Sequence, residues 1–284
     1  MDTEMTSTSI FTTPFVEIKP SRGVFQLDLR AVWQYRELLY FLVWRDLKVR
    51  YKQAAIGIGW VILQPLVTML IFTAVFAKFA KVPSDGIPYP IFAYTALLPW
   101  TYFAQALSRS GPSVVGDSGL ISKIYFPRLI IPLAAVITPA VDVVFSSVIL
   151  LAMMVWFGMV PTWGVLALPL FLLLAPMTAL AVALWLAPLH VRYRDVGHAL
   201  PFLIQIWMYA SPVAYPVSLV PERWRVLYSL NPMAGVIEGF RWALLGKASP
   251  DFMLMSVSAA FVLLLLLGGI VFFKHMEKTF ADVI

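Results

Sequence analysis

The chain has 284 residues, of which 61% are hydrophobic and 13% charged, and it contains no cysteine. Soluble domains carry about 25% charged residues, so this chain lacks the polar surface to remain monomeric in water. A disordered chain, a collagen-like repeat and a disulfide scaffold are excluded by the same figures. A polytopic membrane protein remains, and the formal net charge of +6, which elsewhere would suggest nucleic acid, is read first as a topology signal because basic residues flank spans.

Residues 1–35 are polar and mixed, with no compact apolar run before a small-residue cleavage site, and are read as a cytoplasmic N-terminal segment without a signal peptide. Residues 36–54 read as an amphipathic interface helix. Tyr40, Trp44, Leu47 and Tyr51 share one stripe, and Arg45, Lys48, Arg50 and Lys52 lie around it. That pattern sets aromatics among headgroups and basic groups towards anionic lipid or a partner. A plain positive flank has similar composition, but the length of the segment and the embedded Asp46 favour a structured element.

A spanning helix needs about 20 mostly apolar residues. Lys52 and Lys78 bracket 25 uncharged positions, which places a first span at 56–78. A second follows at 89–108. Between Arg128 and Arg192 lie 63 residues with one charge, Asp142, enough for two helices at 131–157 and 165–189 with a turn at Gly158–Gly164. A fifth span is placed at 200–217 and a sixth at 252–273. Residues 220–246 form two short helices, since Pro221 starts one and Asn231-Pro232 caps another. We read them as an outer re-entrant hairpin, with an ordinary amphipathic surface loop as the alternative. Gly235 and Gly239 form a small-xxx-small pair suited to close helix packing. Residues 274–284 are a cytoplasmic tail. The fold class is therefore an all-α polytopic membrane protein, with a six-span domain over 55–273. Fifteen Lys and Arg fall on the side of the termini and six on the other, which places both termini in the cytoplasm.

Signatures of catalysis are sparse. No G-x-x-x-x-G-K-[ST] phosphate loop occurs, so ATP hydrolysis is expected from elsewhere. The three histidines, His190, His198 and His275, cluster near the cytoplasmic boundary without cysteines, a poor metal set, and no metal or cofactor is expected on the chain. Asp142 is the one intramembrane carboxylate, and no Arg, Lys or His within the spans is available to pair with it. It reads either as a hydrogen-bonded structural group or as part of a path. Trp100, Tyr102, Phe103, Trp207, Tyr209 and Tyr215 cluster in the second and fifth spans, where stacked aromatics would suit the C–H faces of sugars. Membrane packing and interface belts account for the same residues.

Several separated motifs resemble one family. They are Trp44-Arg45-Asp46-Leu47-Lys48-Val49-Arg50-Tyr51-Lys52-Gln53, then Gly57, Gly59, Trp60 and Pro65; Lys123-Ile124-Tyr125-Phe126-Pro127-Arg128; Arg192-Tyr193-Arg194-Asp195; Ser211-Pro212-Val213; Asn231-Pro232-Met233 with Arg241; and the terminal Phe280-Ala281-Asp282. In this order, from about residue 30 to the end, they resemble the membrane subunits of type-2 ABC exporters, specifically the polysaccharide-exporting permeases of bacterial O-antigen systems. Asp117 and Gly119 depart from the family, where Asn is common.

The resemblance implies a homodimer in the bacterial inner membrane, bound to two copies of a separate ATPase that holds ATP and Mg. The exported material would be a polysaccharide on an undecaprenyl diphosphate carrier. On that reading Arg45, Arg50, Lys123 and Arg128 form a basic entrance for the diphosphate. Asp46, Lys48, Arg192, Arg194 and Asp195 couple to the ATPase. The six aromatics line the glycan channel, and Asn231, Pro232, Glu238 and Arg241 form an outer gate. The other partners implied are membrane lipids, and no nucleic acid. An ABC exporter of another lipid or of a drug shares the fold. An ion-coupled secondary carrier, which would depend on Asp142, stands as a further alternative, and an integral membrane glycosyltransferase as a weaker one.

Overall fold

Lipid offers no hydrogen bonds to an exposed peptide group, so a chain this apolar must satisfy its backbone within helices. The computed structural model describes residues 29–52, 57, 59–246 and 251–280, and these form helices and connecting turns with no strand among them. The N-terminal segment to residue 28, the first position of the 56–78 span, and Ala281 and Asp282 of the terminal motif lie outside the described residues.

Helices α1 (Leu29–Gln34) and α2 (Arg36–Lys52) are nearly continuous, joined across Tyr35 by backbone bonds to Ala31 and from Leu39. The interface helix therefore begins earlier than residue 36. Its aromatic side, with Tyr40 and Trp44, is exposed, while Leu42 is buried. Helix α3 (Gly59–Phe72) passes through Pro65 into π-helical turns over Thr73–Phe79. Helix α4 (Tyr89–Gly116) runs well past the expected end at 108, and short α5 (Ser118–Ile121) follows.

The expected 131–157 span is two helices, α6 (Ile130–Ile137) and α7 (Ala140–Trp156). Pro139 lacks an N–H and cannot continue the ladder, and the break leaves Asp142 in the first turn of α7. A 3-10 turn at Trp163–Ala167 leads into α8 (Leu168–Arg192). Helix α9 (Val196–Ala210) stops short of the expected 217. The cause is local: Ser211 precedes Pro212, and a residue before proline is driven out of the helical region, here to ψ 153. After a 3-10 turn at Val217–Leu219 come α10 (Glu222–Ser229), α11 (Pro232–Leu245) and α12 (Phe252–Glu277).

Among the described residues four helical stretches are long and apolar enough to cross a membrane: Gly59–Phe79, Ile130–Trp156, Trp163–Arg192 and Phe252–Glu277. Helix α9 is apolar but has only 15 residues, about 22 Å at 1.5 Å per residue. Helix α4 is long enough, but its C-terminal part carries Gln105, Ser108, Arg109, Ser110 and Ser113.

Helix α4 is the centre of the bundle. From Ile91 to Trp100 every side chain is buried, and neighbours on α3, α6, α7, α8, α9 and α11 surround it. A second apolar cluster gathers Leu42 of α2, Val114 of α4, Phe126, Ile130 and Ile131, Leu184 and Val191 of α8, and Phe273 and Phe280. Helix α11 is buried almost all round, its Glu238 and Arg241 included. The Gly235 and Gly239 pair does what the spacing suggested: Gly235 meets Ser258 of α12, and Gly239 lies under the Phe171 ring of α8.

A Cβ on Gly239 would fall 2.1 Å from Phe171, and overpacking of this kind costs about 1–3 kcal/mol. Gly239→Ala should therefore lower the melting temperature of the detergent-solubilised chain. Gly119→Ala, with nothing within 4 Å of the added carbon, should not.

Candidate functional site

Helix α2 turns its C-terminal half towards α4 and α6 and leaves an open cleft of about 540 Å³ between them. Arg45, Asp46, Arg50, Arg109 and Asp117 supply the charges along its wall, and Val49, Ile131, Ala134 and Ala135 the apolar part. Arg45 donates to both oxygens of Asp117, at 2.8 and 3.2 Å, and through Nε to Asp46 at 3.0 Å. A fork of parallel N–H donors onto one carboxylate is the stronger geometry for a guanidinium. The Asp117 carboxylate accordingly raises the Arg45 pKa above its ordinary value, against the opposing effect of burial.

Arg50 is held differently. It makes an ion pair with Asp142 at 2.5 Å and donates to Gln105 Oε1 at 2.9 Å. The Tyr51 hydroxyl also donates to Asp142. Burial, then the adjoining Asp142 carboxylate, pushes the Tyr51 phenol up to about 12. The partner of Asp142 thus comes from the C-terminal end of α2. Helix geometry contributes as well, because Asp142 sits at the N-terminus of α7, where free N–H groups favour an anion.

The four expected entrance residues do not converge. Arg45 and Arg50 line the α2 cleft, while Lys123 and Arg128 line a separate hollow of about 230 Å³ with Tyr125. Arg128 donates to the backbone carbonyl of Glu277 and lies 5.9 Å from the Phe280 ring centroid, so it anchors the C-terminal end of the chain. Lys123 is exposed.

The expected ATPase-coupling residues occupy two places. Asp46 faces the cleft, whereas Lys48 is exposed on the same helix, 5.3 Å from the Trp44 ring centroid. Arg192, Arg194 and Asp195 are exposed at the α8–α9 turn, with Arg192 over Tyr193 at 5.4 Å. There the ring of His190 packs on Gly197, whose added Cβ would lie 2.6 Å away.

Of the aromatics, Trp100, Tyr102 and Phe103 are buried within the chain, and Tyr102 donates to Val136 O at 2.9 Å. Phe103 meets Trp207 edge-on at 5.1 Å, and Trp207 donates to Asn231 Oδ1 at 2.9 Å. Tyr209 is exposed, and Tyr215 is half-buried with its hydroxyl 3.1 Å from that of Tyr228. Beside the end of α9 Asn231 caps α11, accepting from Met233 N, and its Nδ2 donates to Ala210 O and Ser211 Oγ. Pro232 is the first residue of α11. Arg241, buried, donates to Val213 O at 2.9 Å and stands 3.6 Å above the Phe92 ring, while Glu238 is buried one turn earlier on the same helix.

Reasoning from sequence missed Arg109, Asp117 and Gln105. Asp117 was visible only as a departure from Asn, and Arg109 only as one more positive charge. Nothing local marks Gln105 as a partner of Arg50, 55 residues away.

Removing one member of a buried pair leaves the other charge unpaired, at a cost of about 3–5 kcal/mol. Asp142→Asn should lower the thermal stability of the purified chain by an amount in that range. Arg50→Gln combined with it should recover part of the loss, giving a non-additive double-mutant cycle.

Comparison with known proteins follows this geometry. The family model described as ABC-2 type transporter matches residues 37–245. The chain is similar to the O-antigen export system permease protein RfbA of Myxococcus xanthus, 30% identical over 257 residues that cover 89% of this chain and 98% of the relative. A protein of the same name from Klebsiella pneumoniae is 26% identical over 87% of this chain and 95% of its own length. The polysialic acid transport protein KpsM of Escherichia coli is 23% identical, over 82% and 91%.

Proposed function

We propose, for a chain that belongs to the ABC-2 type transporter family, that it is the channel-forming subunit of an exporter moving a lipid-linked polysaccharide, O-antigen in class, across the inner membrane. The chain is a multi-pass inner-membrane protein, and its relatives named as O-antigen and polysialic acid permeases are matched over nearly their whole length. That end-to-end match is the observation that carries the reading.

On this reading two copies pair to enclose the channel, and a separate ATPase bound to each copy supplies the energy. Six crossings are counted with α4 and α9 completing the four long apolar helices, both termini are cytoplasmic, and α10–α11 form the re-entrant hairpin. The domain scheme of a 36–54 interface helix, a 55–273 permease domain and a 274–284 tail follows. Lys48, Arg192, Arg194 and Asp195 are exposed and suit contact with the ATPase. Asp46 acts through Arg45, whose orientation it fixes. ATPase closure presses on α2 and on the loop from 109 to 128, and the Arg50–Asp142 pair carries the push to α7.

The carrier's diphosphate enters on the cytoplasmic side, drawn by Arg45 and Arg50 in the cleft and by Lys123 and Arg128 in the neighbouring hollow through charge-assisted hydrogen bonds. Trp207, Tyr209 and Tyr215 offer rings where α9 gives way to the outer segment, and Trp100, Tyr102 and Phe103 back them from α4. Asn231 and Pro232 set the start of α11, and Glu238 and Arg241 brace it, which makes that helix the outer gate.

The test is reconstitution of export in cells lacking their own O-antigen exporter. The chain together with its ATPase should restore a lipopolysaccharide ladder at the surface, and neither alone should. No ladder from the pair, with both proteins present in the membrane, would remove the polysaccharide reading. Charge reversal of Arg192 and Arg194 should reduce co-purification of the ATPase about tenfold without moving the melting temperature of the permease.

A further inference from the structure

Helix α12 ends at Glu277, and the chain then folds back on the bundle. Thr279 closes the turn, its N–H and its hydroxyl both donating to Met276 O, at 3.0 and 2.8 Å. The turn delivers Phe280 to the interior, where its ring is wholly buried and meets Phe273 of α12 edge-on at 5.6 Å. Arg128 holds the same turn from two sides. It donates to the Glu277 carbonyl, and its guanidinium stands 5.9 Å from the Phe280 ring centroid, within reach of the attraction between a cation and an aromatic face.

The segment that Arg128 belongs to has little else to place it. Residues 122–129 form no helix, so no backbone ladder fixes them and their position depends on side chains. Phe126 and Phe280 are buried in one apolar cluster, together with Leu42 of α2, Ile130 of α6 and Val191 of α8. These residues adjoin the surfaces that the export reading sets against the ATPase. Leu42 shares α2 with Lys48, Phe126 lies in the loop that closure presses, and Val191 directly precedes Arg192. A close-packed cluster has low compressibility and passes on a displacement instead of absorbing it. Phe280 is the member that brings the end of α12 into it.

We propose that Phe280 is a positioning residue of the export cycle. By holding Arg128 and filling the cluster, it fixes the 122–129 segment against α12, so that movement imposed by the ATPase reaches the rest of the bundle. The proposal rests on the export reading for its ATPase, while the joint itself is a property of this chain.

The test uses the full-length chain, purified alone for hydrogen exchange and reconstituted with its ATPase for transport. Phe280→Ala should speed amide exchange over 118–131 about tenfold and leave α11 unchanged. In the reconstituted pair ATP hydrolysis should persist, while the glycan exported per ATP falls about tenfold. Phe280→Leu, which keeps most of the apolar volume, should retain most of both properties. Arg128→Gln should also speed exchange over 118–131, and combining it with Phe280→Ala should add little, because both break one joint. Leu174→Ala, a deletion in the larger apolar cluster, should lower the melting temperature without changing the glycan exported per ATP.

Unchanged exchange over 118–131 in Phe280→Ala, or exchange that rises equally in α11, reduces Phe280 to ordinary packing and overturns the proposal. Hydrolysis and export that fall in step, as they do when folded complex is lost, overturn it as well. Faster exchange confined to 118–131 with normal export per ATP removes the coupling role and leaves the export reading standing. An unaltered pair that exports no glycan fails the export reading instead, and exchange confined to 118–131 then still supports the joint.

Discussion

A buried carboxylate must find a cation or be neutralised, and in this chain Asp142 finds Arg50. Much of the end of the bundle that holds α2 follows from that requirement. The pair can form only if α7 begins where it does, which Pro139 ensures by ending α6 at Ile137, two residues before it. It also requires the end of the interface helix to press inward, so that Tyr51 reaches the same carboxylate. With its C-terminal end fixed on α7, Arg45 forked onto Asp117 and Leu42 buried in the second apolar cluster, α2 is held at three points. The cleft lies along this stretch, and displacing α2 requires these contacts to yield.

The opposite half, around α11, is organised by a different means. Arg241 is surrounded by backbone carbonyls, from Phe92, Val213 and Tyr215, and by the face of the Phe92 ring. A guanidinium with five donors can tie together segments that have no regular structure of their own, and the stretch after α9 is such a segment. Asn231 reinforces it from the other end, through Trp207, Ala210 and Ser211. The α2 end of the bundle is fixed by an acid that needs a base, and the α11 end by a base that collects carbonyls.

Helix existence was legible from apolar runs and from charge placement, because membrane solvent enforces both. Prolines and asparagines located several boundaries, including the cap at Asn231. The break at Pro139 was not foreseen, since an apolar run of the right length conceals a one-residue fault in the ladder. The expected end of α9 was set too late for the opposite reason: Ser211 to Val217 is apolar and buried but not helical, held instead by Arg241. Pairings such as Arg50 with Asp142, 92 positions later, have no local signature. Periodicity says which face of a helix is apolar, and only the packed structure says which distant charge that face meets.

The basic residues on the cytoplasmic side were read at first as one signal for orientation. Their surroundings divide them. Arg45, Arg50 and Arg128 already have partners within the chain, so neutralising any of them acts on stability as well as on a ligand. Lys48, Arg192 and Arg194 point outward, where a protein partner can reach them. Arg109 belongs to neither group, being part-buried and facing a cavity. Among the described residues it has no ion-pair partner, and part-burial costs it desolvation that an exposed guanidinium avoids.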